Sequence, residues 1–142
     1  MWRESRYSMT SSFTHLIVYL SDADLHDPCV TTQSAVGETT RCAPPVAALL
    51  GGQVLVSWSN VGFPRPGPEI PHPTTRIGGQ PAEITTKRTP ECDALGGEMS
   101  ITADIARPRG NHYEMIACLR GPNLALNKTL VLRMLDSTRV TG

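Results

Sequence analysis

The sequence predicts an α+β domain, in which a mostly antiparallel β-sheet carries a C-terminal amphipathic helix packed on one face. Short runs of alternating apolar and polar side chains recur along the chain, as expected of strands with one buried face. Gly and Pro number 12 each among 142 residues, which favours a fold with many turns. The last apolar run instead repeats at spacings near three and four, which is the period of a helix.

The beginning of the chain is polar and without period, so we expect residues 1–14 to be a flexible tail and 15–142 to be a single domain. The apolar run 16–20 predicts the first strand, and it is far too short to span a membrane. A polar loop follows. The Thr- and Val-containing segment 30–42 predicts a hairpin.

The middle of the chain mixes strands with breaker residues. A short helix is expected near 44–50, where a proline suits the first helical turn and a Gly pair follows. Residues 53–59 predict a strand with one apolar face. Five prolines within 60–73 predict an extended loop, because proline donates no hydrogen bond to a ladder.

Two hairpins are predicted downstream. A Gly pair separates the strand-like runs 74–77 and 82–87, and a tight hairpin turn needs the positive φ that glycine adopts. Residues 98–106 and 112–119 alternate most regularly and flank a turn that contains Pro, Gly and Asn. We therefore expect them to pair antiparallel.

The final segment predicts an amphipathic helix of about 13 residues that begins near Pro122. Its predicted apolar face comprises Leu124, Leu126, Leu130, Val131, Met134 and Leu135. Lys128 and Arg133 fall on the opposite arc. Asn127 begins a match to a glycosylation acceptor, which we interpret as a chance match because the pattern is short and the residue is helical.

Four widely spaced cysteines predict two disulfides, and hence an oxidising compartment. Sequential pairing, Cys29 with Cys42 and Cys92 with Cys118, is the simplest arrangement. Free buried thiols and a zinc site that joins His26 to Cys29 are the alternatives. Because no export signal is evident, we expect a fragment that lacks its signal or anchor, with a cytosolic chain of reduced thiols as the alternative.

Composition and motifs exclude several classes of function. Lys plus Arg and Asp plus Glu number 13 each, so the formal net charge is zero and favours neither nucleic acid nor an anionic membrane as partner. The loop acids Asp22, Asp24 and Asp27 lack the glycine and closing glutamate of a calcium loop, and we interpret them as solvated. No nucleophile elbow and no phosphate-binding glycine loop is present, so we predict no cofactor, no metal and no catalytic residue.

Two small sets of residues remain as candidates for a site. Trp58, Phe63 and Tyr113 are candidates for a shallow apolar platform for a sugar, peptide or lipid-like ligand, although core packing is the favoured interpretation, because a domain with so few aromatic residues is expected to bury them. Arg120 is the candidate for an anionic group of that ligand. His112 and Glu114 share one strand face and are the candidate acid–base pair, at what we expect to be a sheet edge.

Several segments of 14–142 resemble a group of uncharacterised actinobacterial proteins that are exported or membrane-anchored. The segments are LHDPC, VLVSWSNVGFP, IGGQPAEI, NHYEMIACLRGPN and MLDSTRV, of which YEMIACLRGP and LDSTR are the most specific. The group has cysteines at positions that resemble all four here, which implies disulfides, and no activity is established for it. The order of strands, glycine hairpin and final helix also resembles the Mog1/PsbP-type α+β fold, which implies topology but no function.

Together these observations predict a small, disulfide-stabilised, extracytoplasmic binding or interaction module of the cell envelope, without enzymatic activity. Its partner is expected to be a protein or a small molecule, and no membrane span is predicted in this chain. A hydrolase or transferase that uses His112 and Glu114 is one alternative. A truncated remnant without an active role is the other.

Overall fold

The structure, a computed structural model, describes residues 2–8, 14–27, 29–61, 70–107 and 112–140. In chain order the elements are β1 (Arg3–Ser8), β2 (Thr14–Ser21), β3 (Cys29–Ser34), β4 (Gly37–Cys42), β5 (Val54–Val61), β6 (Thr75–Ile77), β7 (Gln80–Lys87), α1 (Pro90–Ala94), β8 (Met99–Ala106), β9 (His112–Leu119) and α2 (Leu124–Asp136). The predicted α+β class is confirmed.

Seven strands form one antiparallel sheet in the order β1-β2-β5-β9-β8-β7-β6. Strand β9 lies at the centre of this sheet, between β5 and β8. The hairpin β3–β4 forms a separate two-stranded sheet. The hairpins predicted around the glycine pair and between β8 and β9 are confirmed.

One face of the sheet carries the main hydrophobic core, and α2 covers it. The predicted alternation is confirmed, because the buried positions of β8 and β9 recur at every second residue: Ile101, Ala103, Ile105, Met115, Ala117 and Leu119. Val131 and Leu135 of α2 are buried in the same cluster. Full burial of one such side chain contributes about 1.5–3 kcal/mol, so hydrophobic packing holds the helix on the sheet.

The opposite face has a smaller core that contains a disulfide. Cys92 of α1 and Cys118 of β9 are bonded, with their Cα atoms 5.2 Å apart, which confirms the second predicted pair. Both cysteines are buried in a cluster with Leu49, Leu55 and Leu95. The bridge therefore fixes α1 to the central strand of the sheet.

The structure corrects the prediction for the first residues of the chain. The segment 1–14 was expected to be a flexible tail, yet Arg3–Ser8 form β1, which pairs antiparallel with β2. The segment lacks an apolar pattern because β1 is the outermost strand of the sheet, where backbone hydrogen bonds to one neighbour are enough to hold it.

The expected short helix near 44–50 is also wrong, since the chain there forms bends without helix. Pro45 disfavours the helical conformation of the residue before it, and Leu49 N donates to Leu95 O at 2.8 Å instead. The short helix is α1, where Thr89 accepts a hydrogen bond from Cys92 N at 3.3 Å and a proline occupies the first turn.

Helix α2 has nearly the predicted length, but its buried stripe is rotated from the expected one. Leu126 and Leu130 are 60% and 39% exposed, although both were assigned to the apolar face. Asn127 is buried instead, and its Nδ2 donates to Gly52 O at 3.1 Å. This burial is consistent with a chance match to the glycosylation pattern.

Two predicted loops lie largely outside the described residues, namely 62–69 of the proline-rich segment and 108–111 between β8 and β9. Neither helix of the described chain has the length and apolar character needed to cross a membrane.

Candidate functional site

Two of the four predicted binding residues, Trp58 and Tyr113, line one pocket of about 190 Å³. They belong to the adjacent strands β5 and β9 and point to the same face, because Asn60, two residues after Trp58, is the register partner of Tyr113. The C-terminal residues after α2 close the other side. The complete lining is Val18, Trp58, Ser59, Asn60, Tyr113, Thr138, Arg139 and Val140.

Arg139 lines this mostly apolar pocket, and Arg107, which is not part of the lining, contacts the ring of Tyr113. The guanidinium of Arg107 lies 5.0 Å from the ring centroid of Tyr113, a cation–π contact worth about 0.5–1 kcal/mol. Its Nη1 also donates to Asn60 Oδ1 at 2.9 Å. Arg139 is exposed and contributes to the lining. The pocket thus combines an aromatic floor with a cationic rim.

The other two predicted binding residues do not join this pocket. Phe63 lies outside the described residues. Arg120 follows the opposite end of β9, seven residues from Tyr113, which corresponds to roughly 23 Å along a strand. Its Nη1 donates to Leu49 O, so this side chain ties two loops together.

His112 and Glu114 lie on β9, the central strand, and not at the expected sheet edge. The two residues are not at an edge because β5 pairs with the full length of β9 on one side and β8 pairs with it on the other. The structure adds Asp104 of β8 to this pair. Asp104 Oδ1 lies 3.9 Å from His112 Nε2, and ligand atoms of all three residues lie within 4.8 Å of one another.

The sequence contained signals for several of the residues that were missed. The antiparallel pairing of β8 with β9 places Asp104 opposite Glu114, so a hairpin drawn from the two alternating runs would have found it. Asn60 follows in the same way from its strand face. Arg107 and Arg139 carried no such signal, because residues outside the regular strands place them near the aromatic rings.

Two of the three loop acids, Asp22 and Asp27, accept hydrogen bonds from backbone amides. Asp22 Oδ1 accepts a hydrogen bond from Val54 N at 2.9 Å, and Asp27 Oδ1 accepts one from Cys29 N, also at 2.9 Å. These contacts hold the loop to β5 and to the start of β3. The acids therefore act in local backbone capping.

The zinc alternative for His26 and Cys29 is wrong, because Cys29 is disulfide-bonded and offers no thiolate. Its register partner across β3–β4 is Cys42, the position that sequential pairing requires. His26 instead has Nδ1 3.1 Å from Asp27 O.

Comparisons with protein-family models, with curated proteins and with solved structures find no match to this chain. The resemblance to exported actinobacterial proteins therefore stays a prediction.

Proposed function

We propose that this chain is a small extracytoplasmic binding module of the cell envelope, and that the pocket of Trp58 and Tyr113 holds its ligand. The observation that carries the proposal is the meeting of these two aromatic rings in one pocket with a cationic rim. A domain with few aromatic residues that leaves two of them half-buried around a cavity has surface suited to a ligand.

The chemistry of the lining favours an aromatic or short apolar group that bears a carboxylate. Valine side chains and the two rings provide apolar contact, whereas Asn60 and Arg139 provide polar atoms at the rim. A pocket of about 190 Å³ accommodates one or two fused rings and not a long lipid chain. The arginines favour an anion over a cation of the same shape.

The site is tested with 1-naphthoate as probe and with the matched cation 1-naphthylmethylammonium as control. Titration is followed on the two tryptophan indole N–H signals in heteronuclear NMR spectra. We expect 1-naphthoate to shift the Trp58 signal and to leave the signal of Trp2 in place, because Trp2 does not line this pocket. The cation is expected to bind on the order of tenfold more weakly.

Two substitutions test separately the aromatic contact and the preference for an anion. Trp58→Ala removes the indole reporter, so its binding is followed on the backbone amide signals of the other lining residues; it should weaken 1-naphthoate binding about tenfold, since an aromatic pair contributes about 0.5–1.5 kcal/mol beyond the area that it buries. Arg139→Ala should remove the preference for the anion, and Leu126→Ala on the exposed side of α2 is the matched control. An unmoved Trp58 signal, or equal binding of anion and cation, would contradict the proposal.

The extracytoplasmic location is supported by the oxidised cysteines, because disulfides persist mainly in oxidising compartments. The test isolates the chain from its native cells after acid quenching and blocks free thiols with an alkylating reagent. We expect no alkyl groups and a mass about 4 Da below that of the reduced chain, since each disulfide lacks two hydrogens. Alkylation of all four cysteines would refute the location.

A hydrolase or transferase is the second candidate function, and the addition of Asp104 to His112 and Glu114 is the observation that favours it. An acid–base role needs a titratable group with a second one nearby, and Asp104 Oδ1 lies 3.9 Å from His112 Nε2. If His112→Ala retains the fold and every measured hydrolase and transferase activity of the chain, this candidate is excluded.

A further inference from the structure

We propose that Asp104, His112 and Glu114 form a binding site for one divalent transition-metal ion. Their ligand atoms lie within 4.8 Å of one another, in a set of one imidazole nitrogen and two carboxylate oxygens. Ligand atoms at 2.0–2.2 Å from a common zinc ion stand about 3–4 Å apart. Small rotations of the two carboxylate side chains therefore bring the three atoms onto one ion.

The β8–β9 hairpin places these residues by its register alone. Asp104 and Glu114 are direct partners across the ladder, so their side chains rise side by side from the same face. His112 precedes Glu114 by two residues and shares that face, which makes it the diagonal neighbour of Asp104. Three ligands on paired central strands form a rigid donor set.

Electrostatics favours a cation at this position. Carboxylates that face each other directly across a ladder repel, and Glu83 of β7 extends the row as the register partner of Asp104. A divalent ion between Asp104 and Glu114 is attracted to both carboxylates. The row thus has the charge that such an ion requires.

The three proposed ligands differ in how much solvent reaches them. The His112 side chain is 1% exposed, so packing fixes its ring, whereas the Asp104 side chain is 34% exposed and Glu114 is half-buried. Solvent reaches the carboxylates, which gives an ion a path to the site. A fixed imidazole with accessible carboxylates is an arrangement that can exchange its metal.

The mixed donor set selects among ions. Imidazole nitrogen suits Zn²⁺ and its transition-metal neighbours, whereas Ca²⁺ and Mg²⁺ prefer oxygen ligands alone. Three protein ligands are also the number found in zinc sites that keep a position for water or substrate. The site lies on the face of β9 opposite Tyr113, so it is independent of the aromatic pocket.

The test measures Zn²⁺ binding to the oxidised, metal-depleted full chain in competition with a chromophoric chelator. We expect one ion per chain. Asp104→Asn and Glu114→Gln should each weaken binding about tenfold or more, because each amide keeps the shape of its carboxylate but loses its charge. These variants are preferred to a His112 variant, because the histidine is fully buried and its loss endangers folding.

Two controls test whether the ion lies where we propose. Glu38→Gln changes a carboxylate of the separate β3–β4 hairpin, and His72→Ala removes an exposed histidine. Both should retain the wild-type affinity within about threefold. A wild-type chain that binds no Zn²⁺, a retained affinity in Asp104→Asn and Glu114→Gln, or an equal loss in either control overturns the proposal.

Discussion

At the scale of single residues, Asn127 shows how one polar side chain connects the helix to the sheet. Its Nδ2 donates to Gly52 O at 3.1 Å from a position that is 9% exposed. Asn127→Ala leaves that carbonyl without this donor, and a lost buried partner costs about 1–3 kcal/mol. We expect the free energy of unfolding to fall by this amount, measured by urea denaturation.

The matched control is Leu126→Ala, one residue away on the same helix. Leu126 is 60% exposed, so its truncation should change the free energy of unfolding by less than about 0.5 kcal/mol. If the two variants unfold alike, the hydrogen bond of Asn127 contributes nothing measurable and our account of this helix face is wrong.

The same helix shows what residue patterns can and cannot reveal. Spacing predicted the helix, and Val131 and Leu135 were correctly assigned to its buried face. The assignment of Leu126 and Leu130 to that face was wrong, because the helix is rotated so that Asn127 reaches a backbone carbonyl of a distant loop. A hydropathy pattern ignores such polar partners, since they lie far away in the sequence.

At the scale of elements, regular alternation proved the most informative signal. The apolar faces of β8 and β9 and their antiparallel pairing followed from sequence, because one face of each strand packs in the main core and its apolar residues therefore recur at every second position. The strand β1 carries no such alternation in its sequence, RESRYS, and pairs with β2 alone. The helix predicted for 44–50 was wrong because the apolar residues of this irregular segment, Val46 and Leu49, pack in a cluster with Leu95.

The disulfide of Cys92 and Cys118 is the main covalent link between elements of the core. Replacement of both residues by Ala frees α1 from β9, and the chain-entropy estimate for a sequence separation of 26 is about 3.5 kcal/mol. We expect denaturant unfolding of the double variant to show a loss of that order. Addition of reductant to the wild type should cost at least as much, because it also opens the disulfide of Cys29.

The control for this experiment is a pair of substitutions in the exposed hairpin, Thr31→Ala with Thr40→Ala. Their hydroxyl groups are 2.9 Å apart at the surface, so the double variant should lose less than about 0.5 kcal/mol. A disulfide variant that is as stable as this control would show that packing alone holds α1 in place.

At the scale of the whole molecule, the sheet separates two candidate sites. The aromatic pocket lies on the face that α2 covers, and the cluster of Asp104, His112 and Glu114 lies on the other. Both candidate sites include residues of β9, because its odd-numbered and even-numbered side chains lie on opposite faces of the sheet. The sequence pointed to candidate residues on both faces of β9 and to Trp58 as a partner of Tyr113, but not to Asp104, whose place beside His112 and Glu114 depends on the register with β8.

The position of β9 between two strands also predicts how stability is distributed over the chain. Amide protons of β8 and β9 lie in the centre of a seven-stranded ladder and above a buried core, so they should exchange only through opening close to global unfolding. Residues of β3 are exposed in all but one position, and their hairpin belongs to a separate sheet. We therefore expect the β3–β4 amides to exchange orders of magnitude faster than those of β9, as measured by hydrogen exchange with mass spectrometry. Peptides of the hairpin that remain protected as long as those of β9 would show that the two sheets unfold as one unit, contrary to this view of the fold.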